Sequence, residues 1–63
     1  MHRYIIGYKN DEFFMVSSLN TDDVFEEEIK KFNIGVNYSY KEISSKIDIR
    51  KGGFDKLIKE IKL

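Results

Sequence analysis

The period of the hydrophobic pattern changes several times along this chain. From Tyr4 to Lys9 and again from Glu12 to Ser18, apolar residues crowd short runs rich in aromatic and β-branched types, as strands do. The Asn10-Asp11 dipeptide between them tolerates positive φ angles, so the two runs read as a hairpin with a two-residue turn. The period then lengthens: Phe25, Ile29 and Phe32 recur at i, i+4 and i+7, the apolar stripe of an amphipathic helix. Asn20, Thr21 and Asp22 offer side-chain oxygens for its N-cap, and Asn33 or Gly35 the left-handed residue that would end it. Val36, Tyr38 and Tyr40 alternate with polar residues, as do Ile47 and Ile49, which predicts two further strands. Gly52-Gly53 breaks the last of these. Phe54, Leu57, Ile58 and Ile61 then mark a second helical stripe.

The predicted order is ββαββα. It implies one α+β domain over residues 1–63, built in two layers, with a four-stranded, mostly antiparallel sheet and both helices on one face. Tyr8 aligns with Tyr40 and Asp23 with Asp55, which suggests a repeat of two similar halves. Ser39-Tyr40-Lys41-Glu42 also fits a capping box, so a short helix within Ser39–Lys46 is the alternative to the second hairpin.

Charge adds a polarity that the net value of zero conceals. Residues 1–28 carry a balance of −5 and residues 29–63 a balance of +5. A domain so divided can steer a charged partner or stack head to tail with itself. With 63 residues and no cysteine, the chain is near the lower limit for an unstapled core and has neither a disulfide nor a thiolate metal site. The longest apolar run, Phe13–Val16, is far too short to span a membrane as a helix. No signal peptide is apparent, so a soluble, cytoplasmic protein is expected. Ile, Lys, Asn, Phe and Tyr make up about half the chain, and Ala, Gln, Pro, Cys and Trp are absent. That bias suits an AT-rich genome and associates the chain with a phage or plasmid.

Candidate chemistry narrows the field further. His2 is the single histidine and sits at the terminus, and the serines have no evident base, so acid–base or nucleophilic catalysis has little to work with. Asp22, Asp23, Glu26 and Glu27 could bind a metal or imitate phosphates. Their place on the first turn of a predicted helix, with Glu26–Lys30 and Glu27–Lys31 spaced as i, i+4 pairs, accounts for them without a ligand. No cofactor, metal or small-molecule substrate is expected.

Two surfaces remain as candidates. In the simple hairpin register, Tyr4, Ile6, Tyr8, Phe13 and Met15 share one face of the first hairpin, while Ile5, Gly7, Phe14 and Val16 share the other. Both faces are apolar, whereas a sheet with one wet face alternates apolar and polar. Gly7 would admit a helix on its side, which leaves Tyr4, Ile6, Tyr8, Phe13 and Met15 as an outward protein-binding face of interface-like composition. The occupant would be a protein partner or a second copy in a homodimer. The alternative is an anion- or nucleic-acid-binding surface of Lys46, Arg50, Lys51, Tyr38 and Tyr40, with lysine and arginine for phosphates and tyrosine for base stacking. Arg50-Lys51-Gly52-Gly53-Phe54 is similar to the start of the central RNA-recognition strand motif but lacks its aromatic continuation. The expected function is protein binding without catalysis. Its concrete form is a phage- or plasmid-encoded inhibitor of a host enzyme such as a defence nuclease. A nucleic-acid-binding regulator is second.

Overall fold

A computed structural model of the chain describes residues 1–32 and 35–62. Strand β1 (His2–Lys9) turns through Asn10 and Asp11, both at positive φ (52° and 65°), into β2 (Glu12–Leu19). This is the predicted hairpin and turn. A short helix α1 (Phe25–Ile29) follows, then β3 (Tyr38–Ser45), a 3-10 turn at Ile49–Lys51 and helix α2 (Phe54–Lys62). The fold is a small α+β domain whose sheet has three antiparallel strands in the order β2-β1-β3.

The expected fourth strand is absent from the described residues. Ile47 and Ile49 lie in a connection whose backbone groups are satisfied by side chains instead of a ladder. The Tyr4 hydroxyl donates to the Ile47 carbonyl and accepts from the Ile49 N–H at 3.3 Å. Ser45 Oγ accepts from the Ile47 N–H at 3.1 Å, and the Asp48 carboxylate from the Arg50 N–H at 2.9 Å. Among the described residues the second half therefore holds one strand, β3, and the ββα order is not repeated. Ser39–Ser45 is extended throughout, so the alternative helix is absent as well. Tyr4→Phe should strand the Ile47 and Ile49 backbone groups and cost about 1–3 kcal/mol, read as a lower urea midpoint.

The helices do not share a face. Tyr4 and Ile6, alternate residues of β1, are 1% and 0% exposed and pack with Leu57 of α2, itself 0% exposed. Tyr8, Phe13, Val16, Ile43 and Ile61 border this core. The intervening residues Arg3, Ile5 and Gly7 point to the opposite face. There the Arg3 guanidinium donates to the carbonyls of Asn20 (3.0 Å), Thr21 (3.4 Å) and Asp23 (3.1 Å), and Phe32 stacks on Tyr40 at 5.6 Å. The segment containing α1 thus lies over one side of the sheet and α2 over the other, giving three layers where two were expected. Ile5, on the α1 side, is also 1% exposed.

Both helix boundaries of α1 differ from expectation. Its N-cap is Val24, without a side-chain hydrogen bond. Asp23, not Asn20, Thr21 or Asp22, closes the preceding loop, its carboxylate accepting from the Asn20 N–H at 2.8 Å. The helix stops at Ile29, so Lys31 pairs with Glu28 at 2.9 Å instead of with Glu27. Asn33 lies outside the described residues, and the glycine found in the left-handed region is Gly52 (φ 77°), after the 3-10 turn.

Candidate functional site

One extra residue decides which side chains of the hairpin reach the surface. Lys9↔Glu12 and Tyr8↔Phe13 pair as predicted, but the next pairs are Gly7↔Met15, Ile6↔Val16, Ile5↔Ser17 and Tyr4↔Ser18. Phe14 is therefore a bulge, and every β2 side chain beyond it changes face. The shift places both Phe13 and Val16 against the α2 core, and Met15 and Leu19 on the α1 side. In the unbulged register Ser17, not Val16, would have faced the α2 core.

The predicted protein-binding face is accordingly divided. Tyr4 and Ile6 are core residues under α2, and Tyr8 and Phe13 are half-buried at the edge of that core. Met15 belongs to the other side of the sheet, opposite Gly7. Tyr4, Ile6, Tyr8 and Phe13 thus lie on the inner, α2 side, and Met15 does not join them. Two features cause the difference: the register shifts at Phe14, and the space over Gly7 admits side chains and not a helix. A Cβ there would sit 2.5 Å from Met15 Cγ and 3.0 Å from ring carbons of Phe14 and Tyr40. Gly7→Ala should overpack this point and cost about 1–3 kcal/mol, measurable by urea denaturation.

What closes over Gly7 is an aromatic platform. The Phe14 ring meets Tyr38 edge-on at 5.7 Å and Tyr40 at 6.4 Å, while Phe32 stacks on the same Tyr40. Such edge and offset contacts hold rings in fixed relation. The Lys9 ammonium lies 5.5 Å from the centre of the Tyr38 ring. Phe14 remains 45% exposed, and Tyr38, Tyr40 and Phe32 are partly so. Val36, predicted in the strand, sits in the adjoining turn and is fully solvated. The sequence pattern places Phe14 on the inner face of the hairpin and Phe32 on the apolar stripe of the first helix. The signal that would have exposed Phe14 is the surplus residue needed to put Phe13 and Val16 on one face.

The alternative basic set does not assemble. Tyr38 pairs with Lys9 beside the hairpin turn, whereas Ser45 pairs with His2 at the far end of the sheet. Lys46, Arg50 and Lys51 lie beyond that far end, roughly 20 Å away at about 3.3 Å per residue. Arg50-Lys51-Gly52-Gly53-Phe54 forms the 3-10 turn and the start of α2, not a strand. Arg50 is held 3.8 Å from Asp48, and His2 lies 4.0 Å from the same carboxylate.

One ion pair, between Arg3 and Glu42, serves the α1 layer. Arg3 Nε donates to Glu42 Oε2 at 2.9 Å and Nη2 to Oε1 at 3.3 Å, while Nη1 holds the loop carbonyls. Its hydrogen bonds keep the Glu42 carboxyl below the ordinary range, and Glu42 raises Arg3 in return. A depressed carboxyl contributes stability above its unfolded value, near pH 4.3, and loses it as the pH falls through the folded value. Acidification below about pH 4 should therefore lower the protection of the Asn20–Asp23 amides relative to their intrinsic exchange rates, and Glu42→Gln should reduce that pH dependence, leaving the part due to the Asp23 carboxylate on the Asn20 N–H.

Among the described residues, no three His, Asp or Glu side chains gather to hold a metal, and no helix is long and apolar enough to cross a membrane. No protein family, curated protein or solved structure was found to match this chain.

Proposed function

We propose that this chain is a small protein-binding module that performs no reaction itself and acts through the platform of Phe14, Tyr38, Tyr40 and Phe32. The observation that carries this reading is the bulge, which turns Phe14 outward and leaves it 45% exposed among partly exposed rings. Rigid aromatic anchors supply large contact area at low entropic cost and dominate protein interfaces. Lys9 stands beside Asp11 and Glu12, so the platform has no excess of positive charge and favours a protein over nucleic acid. An inhibitor that occupies a host enzyme, encoded by a phage or plasmid, is the form that the composition favours.

Two phenylalanines provide a matched test. Phe14 and Phe54 are 45% and 46% exposed and lie on opposite sides of the sheet. Photoreactive p-benzoylphenylalanine placed at each position in turn, in the native cell, should give a discrete protein adduct from position 14 and none from position 54. Adducts from position 54 alone would overturn the proposal.

A further inference from the structure

The charge imbalance along the sequence becomes an imbalance across the sheet. Residues 20–32, the layer on the Arg3 side, hold five acids against Lys30 and Lys31, a balance of −3. Residues 46–62, which carry α2 on the other side, hold six bases against Asp48, Asp55 and Glu60, a balance of +3. Among the exposed groups, Asp22, Glu26 and Glu27 outnumber Lys30 and Lys31 in one layer, and Lys46, Arg50, Lys51, Lys56 and Lys59 outnumber Asp55 and Glu60 in the other. The sheet between them is filled by Tyr4, Ile5 and Ile6, each at most 1% exposed, and the two layers approach each other at the end of it where Arg50 and Asp22 line one cleft.

From this we infer that copies of the chain associate front to back, the basic α2 layer of one against the acidic α1 layer of the next. The two surfaces are different patches, so the contact is heterologous and propagates instead of closing into a pair. It does not depend on the aromatic platform. Opposed exposed charges attract across about 30 Å in 0.01 M salt but only about 3 Å in 1 M salt, so the assembly is set by ionic strength as well as concentration.

Sedimentation velocity of the full chain at micromolar to millimolar concentration tests this. In about 0.01 M salt, where the Debye length is longest, the weight-average mass should rise with concentration to at least twice the 7.5 kDa of one chain. In about 1 M salt it should return to one chain. Glu26→Lys with Glu27→Lys, and separately Lys56→Glu with Lys59→Glu, should each abolish the association while circular dichroism shows the fold retained. Mixing the two variants should restore it. A wild-type mass that stays at one chain in low salt would overturn the inference. So would association that survives either pair of reversals. If the wild type stays single but a generic oligonucleotide binds the α2 layer in the same buffer, that layer serves a polyanion and the inference is wrong.

Discussion

Leu57→Ala should abolish cooperative folding at 25 °C. Leu57 of α2 is fully buried and joins Tyr4 and Ile6 in the core. Truncating such a leucine costs about 2–5 kcal/mol, because the cavity adds to the lost transfer energy. A single core in a chain of this size rarely supplies more than about 3–5 kcal/mol in total. The loss therefore equals most of the stability available, and urea titration followed by circular dichroism should show a sloping change with no folded baseline. Ile58→Ala, at a half-buried neighbour, should leave a transition at lower urea. A Leu57→Ala protein that still unfolds cooperatively near the wild-type midpoint would show that α2 is not what seals the sheet.

The second large effect concerns binding. Phe14→Ala and Tyr40→Ala should each weaken the complex with the protein captured at position 14 at least tenfold, about 1.4 kcal/mol or more. The variants should remain folded, since neither side chain belongs to the Tyr4–Ile6–Leu57 core. Tyr8→Ala and Phe13→Ala, which border that core, should instead lower stability. Calorimetric titration and thermal melts of the four variants separate these outcomes. Loss of affinity from the Tyr8 or Phe13 change at unchanged stability would place the contact on the α2 side.

Much of the fold was legible in the pattern of residues. Asn10-Asp11 named its own turn because few dipeptides accept two positive φ angles, and the stripe from Phe54 to Ile61 located α2. The hidden parts share a cause: each depends on contacts between distant residues. Ile47 and Ile49 alternate as strand residues do, yet the hydroxyl of Tyr4, more than forty positions earlier, takes their backbone groups out of any ladder. The α1 stripe runs to Phe32, yet the helix stops at Ile29 and Phe32 goes instead to Tyr40. The apolar character of both hairpin faces was visible and meant that both are covered, one by each helical segment. The bulge was the costliest omission. Without it Tyr4, Ile6 and Met15 appear as one surface, and with it Tyr4 and Ile6 are core while Met15 joins Phe14 over Gly7.

The register of the hairpin is thus the point on which the core, the platform and the proposed function all rest, and side-chain nuclear Overhauser effects in solution measure it directly. The account predicts cross-strand contacts from Met15 to Gly7 and from Val16 to Ile6, with Val16 methyl contacts reaching the Leu57 core. Contacts from Met15 to Ile6 and from Val16 to Ile5 would mean an unbulged hairpin, with Met15 back on the Tyr4 face and no platform around Phe14.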